Sequence, residues 1–484
     1  MAMRTRRSVN RLSAAVGLLV AGLLSWLPVP AHALTVEDAR HLLARTGFAA
    51  DPAAIARLAP LSRDAAVATI LADVGRDAVS APPDWVEGWQ PPPRPMHALN
   101  ESERRVLRQE RREQAIALKA WWYQEMIATP TPLTEVMTLF WHDHFTSGLR
   151  KVKAPALLYR QNQLLRRHAL GNFATLLRDI ARDPAMLIYL DGAKSRREAP
   201  NENFARELLE LFTLGEGHYT EADIKAAARA FTGWSVDRQT GRFTLRAAWH
   251  DGGVKRFLGH DGRFDGDDII DIVLRQPRTA EHLTAKLWRH FVSDTPSPDA
   301  VKRIAEVFHA SGYEIKPLMA ALLTTPAFWD RDTRGRLIKS PVELMVGIVR
   351  QFDVPVDRPA QLVHAGHRLG QDLFDPPSVK GWPGGTAWIT TETVLQREAL
   401  LARVTGMPPG GDEAMAVQAT DRREKRSREL LANWLDALPD DWRNAAAVVT
   451  LLLPVPPVDA AILDRDASGA LVRSLLIDPV FQLK

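Results

Sequence analysis

The 484-residue chain carries 62 Lys and Arg against 58 Asp and Glu, a formal net charge of +4 at pH 7, and no cysteine. Without cysteine there are no thiol nucleophiles, disulfide staples or c-type haem attachment, so stability rests on the hydrophobic core. Four arginines (Arg4, Arg6, Arg7 and Arg11) supply the whole excess in a start that lacks acids, so the rest of the chain is near neutral and its charge does not point to nucleic acid.

Residues 1–33 read as a secretory signal peptide. The four arginines form a basic start, Leu12 to Leu27 an apolar run, and Ala31-His32-Ala33 a small-x-small cleavage site. The apolar run falls short of the ~20 residues of a spanning helix, and Pro28 and Pro30 follow it. The expectation is an exported protein, periplasmic or extracellular, with no membrane span once the signal is removed.

Helical periodicity dominates from there. Thr35 is placed to cap a helix over 35–46 that carries Val36, Leu42 and Leu43 on one face and stops at Gly47. Pro82-Pro83 and Pro91-Pro92-Pro93 bracket a tryptophan-bearing loop. A long helix over 101–128, with Glu101 and Arg105 paired at i,i+4, precedes helical stretches over 133–145, 155–170, 172–190, 201–214 and 220–232. The rhythm breaks at Phe243-Thr244-Leu245, Asp251-Gly252-Gly253 and Lys255 to Leu258, which predicts a β-hairpin. Asp267 is placed to cap the helix that follows. Helices resume over 280–292, 299–311, 315–324 and 340–352. Phe374 to Gly385 reads as a loop, another helix starts near Thr391, and a hinge is expected near 406–413. The predicted fold is mainly α: a single large helical domain over 34–484 with a small β-hairpin insertion near residues 242–258.

Three segments have the residue types of a site. In Phe140-Trp141-His142-Asp143-His144-Phe145 the histidines stand at i,i+2, about 200° apart on a regular helix, where they cannot share an ion. Val136, Phe140 and His144 keep i,i+4 spacing, so the segment reads either as aromatic packing at a helix end or as the source of a site histidine. After the turn bearing Asp191, Glu202, Arg206 and Glu210 step at i,i+4,i+8, with Asn203 and Glu207 beside them and an apolar stripe through Phe204, Leu208 and Leu211. Exposed, that is an ordinary ion-pair ladder; buried, it supplies a candidate acid or base. His250 precedes the Asp-Gly-Gly turn, and the Asp-rich loop 261–268 lacks the ligand spacing of an EF-hand. No Walker loop, dinucleotide fingerprint, nucleophile elbow or zincin helix is present.

The strings FWHDHF (140–145), GNFATLLRDIARDPAML (171–187), PNENFARELLELFTLGEGHYTEADI (200–224), AARAFTGW (227–234), HDGGVKRFLG (250–259), IKSPVEL (338–344) and PPSVKGWPGG (376–385) resemble the bacterial family catalogued as domain of unknown function 1800. The resemblance spans nearly the whole chain after the leader and brings no established activity. It implies an exported protein, often encoded beside a sulfatase-like exported protein, and hence a role in the envelope or outside the cell, with glycans as one target.

Two functions follow. The first is an exported hydrolase acting on a polymer such as a glycan. Its site would gather His142, His144, Asp191, Asn203, Arg206, Glu207 and Glu210, with His218 and His250 further out. A carboxylate would act as general acid or base, or histidine plus carboxylate would hold a divalent metal that activates water. This reading expects an imidazole beside Glu207 or Glu210. The alternative is a non-catalytic envelope protein that binds glycan or escorts a sulfatase-like partner, the same polar residues forming a buried network.

Overall fold

The computed structural model describes residues 33–92, 94, 96–405 and 417–484. The predicted signal peptide, all but Ala33, and the hinge expected near 406–413 lie outside the described residues. Within them the chain is mainly helical, and strand is confined to two antiparallel two-stranded hairpins. No described helix is long and apolar enough to cross a membrane.

Local chemistry explains where the helices start. Thr35 accepts from the Asp38 N–H at the head of Val36–Thr46, and Asn100 and Glu103 form a reciprocal capping box at the head of Glu101–Ala128. Proline opens Pro132–His144, Pro155–Arg167, Pro277–Phe291 and Pro298–Ala310, at a position whose N–H would lack a partner anyway. The same rules correct three expectations. Asp183-Pro184 splits the stretch 172–190 into Phe173–Ala181 and Pro184–Tyr189, because Pro184 cannot donate into the preceding turn and Asp183 caps the new helix. Asp265 caps Gly266–Leu274 with Asp268 closing the box, while Asp267 sits in the first turn and pairs with Arg182. Glu103, not Glu101, makes the ion pair near the long helix's start, with Arg94 at 2.6 Å.

The β insertion is present, but its pairing differs from the expectation. Strand β1 (Trp234–Val236) pairs with β2 (Phe243–Leu245), and β3 (Lys255–Phe257) pairs with β4 (His260–Gly262). Both strands read from the sequence exist, each with a partner of its own. The Asp-Gly-Gly segment between them serves as a clasp: Asp251 accepts from Arg229 Nε at 2.6 Å, its N–H donates to Thr232 Oγ1 at 2.8 Å, and Lys255 Nζ donates to its carbonyl at 2.5 Å.

The helices Glu101–Ala128, Pro132–His144 and Pro155–Arg167 pack on one another over a buried ionic knot. Arg166 donates to both oxygens of Glu135, at 2.5 and 2.9 Å, and Trp122 Nε1 donates to Glu135 at 2.8 Å. His142 and His144 lie in the last turn of Pro132–His144, both buried.

Candidate functional site

Four segments of the chain, two of them within the motif strings 200–224 and 376–385, converge on one polar cleft of about 410 Å³. Gly148, Arg150 and Lys151 reach it from the short helix Leu149–Val152 and its cap. Tyr189 comes from the end of Pro184–Tyr189, Asn203 and Glu207 from the helix Asn203–Glu207, and Asp375 and Val379 from the loop after Phe374. The Leu149 N–H donates to the Phe374 carbonyl at 2.9 Å, and Arg150 donates to Asp375 Oδ1 at 3.1 Å and to the Pro376 carbonyl at 3.0 Å. Phe374 and Asp191 both hold left-handed backbone, each with φ 59°. That conformation is rare for an aromatic residue and persists only where surrounding contacts enforce it.

The loop is clamped from below by the aspartate of the FWHDHF string. Asp143 Oδ1 accepts the Trp382 N–H at 2.7 Å. Gly381 holds φ 82° against the same carboxylate, where a Cβ would collide with it. Burial pushes the Asp143 carboxyl up to about 6, against the pull of the Trp382 N–H and the Lys286 charge. The clamped turn carries Lys380, whose ammonium lies 3.8 Å from Glu210 and 3.5 Å from Glu216.

Glu207 is the least compensated acid of the cleft. It is half-buried and has no hydrogen-bond or ion-pair partner among the described residues. Burial raises its pKa and the charge of Glu210 adds to the rise, with Lys380 and Arg206 opposing. Burial likewise raises the Tyr189 phenol, helped by Asp375.

A π-helical turn, Leu208–Thr213, follows Glu207 directly and ends the expected ladder. The Leu214 N–H donates to the Leu209 carbonyl at 2.9 Å, five residues back, so the face rotates. Leu209 and Phe212 are buried in place of Leu211, which is half-exposed. Arg206 bonds Glu202 at 3.3 Å and Glu221 at 2.8 Å, pointing its charge away from Glu210. Glu210 instead accepts from the Tyr219 hydroxyl at 3.1 Å. Such turns recur at functional sites.

The chain matches the family described as Protein of unknown function (DUF1800) over residues 41–483. It belongs to that family. No curated protein and no solved structure matches it.

Within this DUF1800 chain the remaining candidates divide cleanly. The His142 ring packs against Trp122, Phe374 and Trp382, with centroids at 5.4, 5.3 and 5.8 Å, and neither nitrogen has a partner among the described residues. Burial lowers its pKa to about 3. Burial also holds His144 well below its usual range, helped by Lys286, so its neutral Nδ1 takes a hydrogen bond from Lys286 Nζ at 2.8 Å. The two segments do meet, through the rings of His144 and Phe212 at 5.8 Å. No hydrogen bond or ion pair among the described residues joins either imidazole to Glu207 or Glu210; their surroundings are aromatic rather than acidic. Asp191 stands at the rim and pairs with Lys151 at 2.7 Å. His250 binds the Thr232 carbonyl at 3.0 Å in the clasp, and His218 is exposed on a turn. Among the described residues, no three His, Asp or Glu side chains stand close enough to hold a metal ion.

Sequence reasoning singled out Asn203, Glu207, Glu210 and Asp191 but passed over Asp143, Arg150, Lys151, Tyr189, Asp375 and Lys380. The signal was available: each of these lies in, or a few residues from, a string that carried the family resemblance.

Proposed function

We propose that the protein is an exported hydrolase of an envelope or extracellular polymer, a glycan in the first place, with Glu207 as its proton-transfer group. The observation that carries this reading is the carboxyl itself: half-buried, unpaired, raised in pKa, and open to a cleft. A carboxyl of that kind gives its proton to the leaving oxygen as the glycosidic C–O bond breaks. The attacking water adds to the anomeric carbon and loses its proton to a second carboxylate. Asp375, oriented by Arg150, is that second carboxylate; Lys151 and Tyr189 offer a donor and a ring for sugar hydroxyls and faces. The histidines take no part in this mechanism and support the site by packing.

The test is turnover of isolated cell-wall and extracellular polysaccharides by the mature chain, read as new reducing ends. Glu207→Gln should cut turnover by roughly 100-fold or more at an unchanged melting temperature; wild-type turnover by that variant refutes the proposal. Export is tested separately. N-terminal sequencing of the secreted or periplasmic protein should begin near Leu34, and an intact Met1 in the cytoplasm refutes export.

One observation favours the non-catalytic alternative. Arg150–Asp375 and Lys151–Asp191 are already paired, as in a surface built to bind rather than react. A wild-type protein that retains a polysaccharide, or a sulfatase-like partner, without cleaving any substrate would replace the hydrolase with a glycan-binding or escort protein.

A further inference from the structure

The tryptophan-bearing loop that precedes the long helix plays no part in the cleft, yet it builds a second opening. A groove of about 560 Å³ runs between this loop and the first half of Glu101–Ala128, lined by Trp89, Gln90, Leu107, Arg111, Gln114 and Lys153.

One wall is a fixed aromatic ring. The Arg160 guanidinium lies over Trp89, 5.4 Å from the ring centre. Gly241, in the turn between β1 and β2, closes on the ring's edge, where a Cβ would stand 3.2 Å from it. On the helix side Val106 and Leu107 form an apolar strip, with Val106 57 % exposed. Around these surfaces stand Gln90, Glu110, Arg111, Gln114 and Lys153, none with a side-chain hydrogen-bond or ion-pair partner among the described residues. All five reach solvent, so their folding does not require a guest; they are donors and acceptors left available to one.

Two elements link the groove to the cleft. Lys153, in left-handed backbone with φ 55°, caps the short helix Leu149–Val152, and that helix brings Arg150 and Lys151 to the cleft. Four helical residues span about 6 Å, so the two openings adjoin one turn of helix. The β1–β2 hairpin is the other link. Ser235 Oγ donates to the Ala193 carbonyl at 2.8 Å, two residues from Asp191 at the cleft's rim, while the hairpin's turn lies against Trp89. An extended strand that fills the cleft and continues past the short helix meets the groove next. An aromatic ring and an apolar strip suit the C–H faces of pyranose rings, and amide, guanidinium and carboxylate groups suit their hydroxyls.

We propose that this groove is a second glycan-binding site, which holds the polymer strand beyond the cleft with Trp89 as its stacking platform. Its contacts are remote from the reacting bond, so they tighten the grip on long strands. The inference rests on the glycan part of the proposed function and not on catalysis.

Binding is therefore read in a Glu207→Gln parent, by co-sedimentation with extracellular and cell-wall polysaccharide before and after its peptides are stripped. Trp89→Ala should weaken retention on the stripped polysaccharide roughly tenfold or more, and Trp89→Phe should restore most of it. Trisaccharide fragments of the same polysaccharide, short enough for the cleft alone, should bind Trp89→Ala and the parent alike in calorimetry. Arg111→Ala combined with Gln114→Ala, on a solvated helix face, should weaken retention too and decides the matter if Trp89→Ala does not fold. Undiminished retention in these variants, or an equal loss on trisaccharides, overturns the inference and leaves the hydrolase standing. Wild-type retention without turnover does the reverse. A parent that retains no stripped polysaccharide overturns the inference whatever turnover shows. A Trp89-dependent loss seen only before stripping gives the groove to a peptide and overturns it as well.

Discussion

Glu135 and Glu207 are both helical glutamates, and the fold treats them in opposite ways. Glu135 lies inside the knot, with Arg166 donating to both oxygens and Trp122 adding a third hydrogen bond. Its charge is matched by short, charge-assisted bonds, and no solvent reaches it. Glu207 is only half-buried, yet it has no donor among the described residues and the like charge of Glu210 lies nearby. Depth of burial therefore does not mark the acid of the proposed site. The mark is a deficit of partners at a position a substrate can reach. The same contrast separates the histidines, buried and enclosed by rings, from the cleft's rim.

Breaking the matched region should have the largest effect. Glu135→Ala leaves Arg166 charged and unpaired in the interior, so urea unfolding should show a loss of about 3–5 kcal/mol. A loss near zero would mean that the knot is not what holds these three helices.

Acid should come next. Burial lowers His142 to about 3, His282 to about 4 and His290 to about 3, and holds His144 well below its usual range. Their folded pKa values lie beneath the ~6.5 of the unfolded chain, so their stabilising contribution is complete above that pH and is lost as pH falls toward 4. Asp143, raised by burial to about 6, and Asp183, raised to about 7, work the other way over the same window. With His41, which burial also holds well below its usual range, five imidazoles against two carboxyls leave about three protons of net uptake on unfolding, or roughly 4 kcal/mol per pH unit at most between pH 6 and 4. Unfolding midpoints measured across this range should fall steeply; a flat or rising curve would mean that the histidines are not neutral in the fold.

In the under-matched region, Glu207→Gln should cost roughly 100-fold or more in turnover, the usual worth of a general acid or base, and leave the unfolding midpoint in place. A variant that loses stability instead would move Glu207 into the same class as Glu135. The smallest effect is expected at Arg206→Gln, because that side chain pairs with Glu202 and Glu221 at the surface, where water and salt screen the charges. A marked drop in melting temperature there would show that the ladder is structural after all.

Much of the helical framework is legible in the sequence, because its signals are local. Thr35 and the opening prolines act on the backbone within one turn, and they mark helix starts wherever they fall. The single helix expected over 172–190 is broken by the same kind of local signal: apolar periodicity continues through Asp183-Pro184, but a cap and a missing N–H overrule it. In the β insertion the strands were legible and their partners were not. Alternation is a property of one segment, whereas pairing depends on what Arg229, Thr232 and Lys255 do with Asp251.

The site divides along the same line. From residues alone, Asn203, Glu207 and Glu210 stood out as polar positions beside an apolar stripe, and a mainly helical domain followed from periodicity. Tertiary structure decided the rest. The π-turn after Glu207 rotates Glu210 away from Arg206, Asp143 clamps the loop that brings Lys380 to Glu210, and Arg150 holds Asp375 at the cleft. Local propensity acts over three or four residues and can be read in order along the chain. The charge state and availability of a carboxyl depend on burial and on groups distant in sequence, and those are known only once the chain has folded.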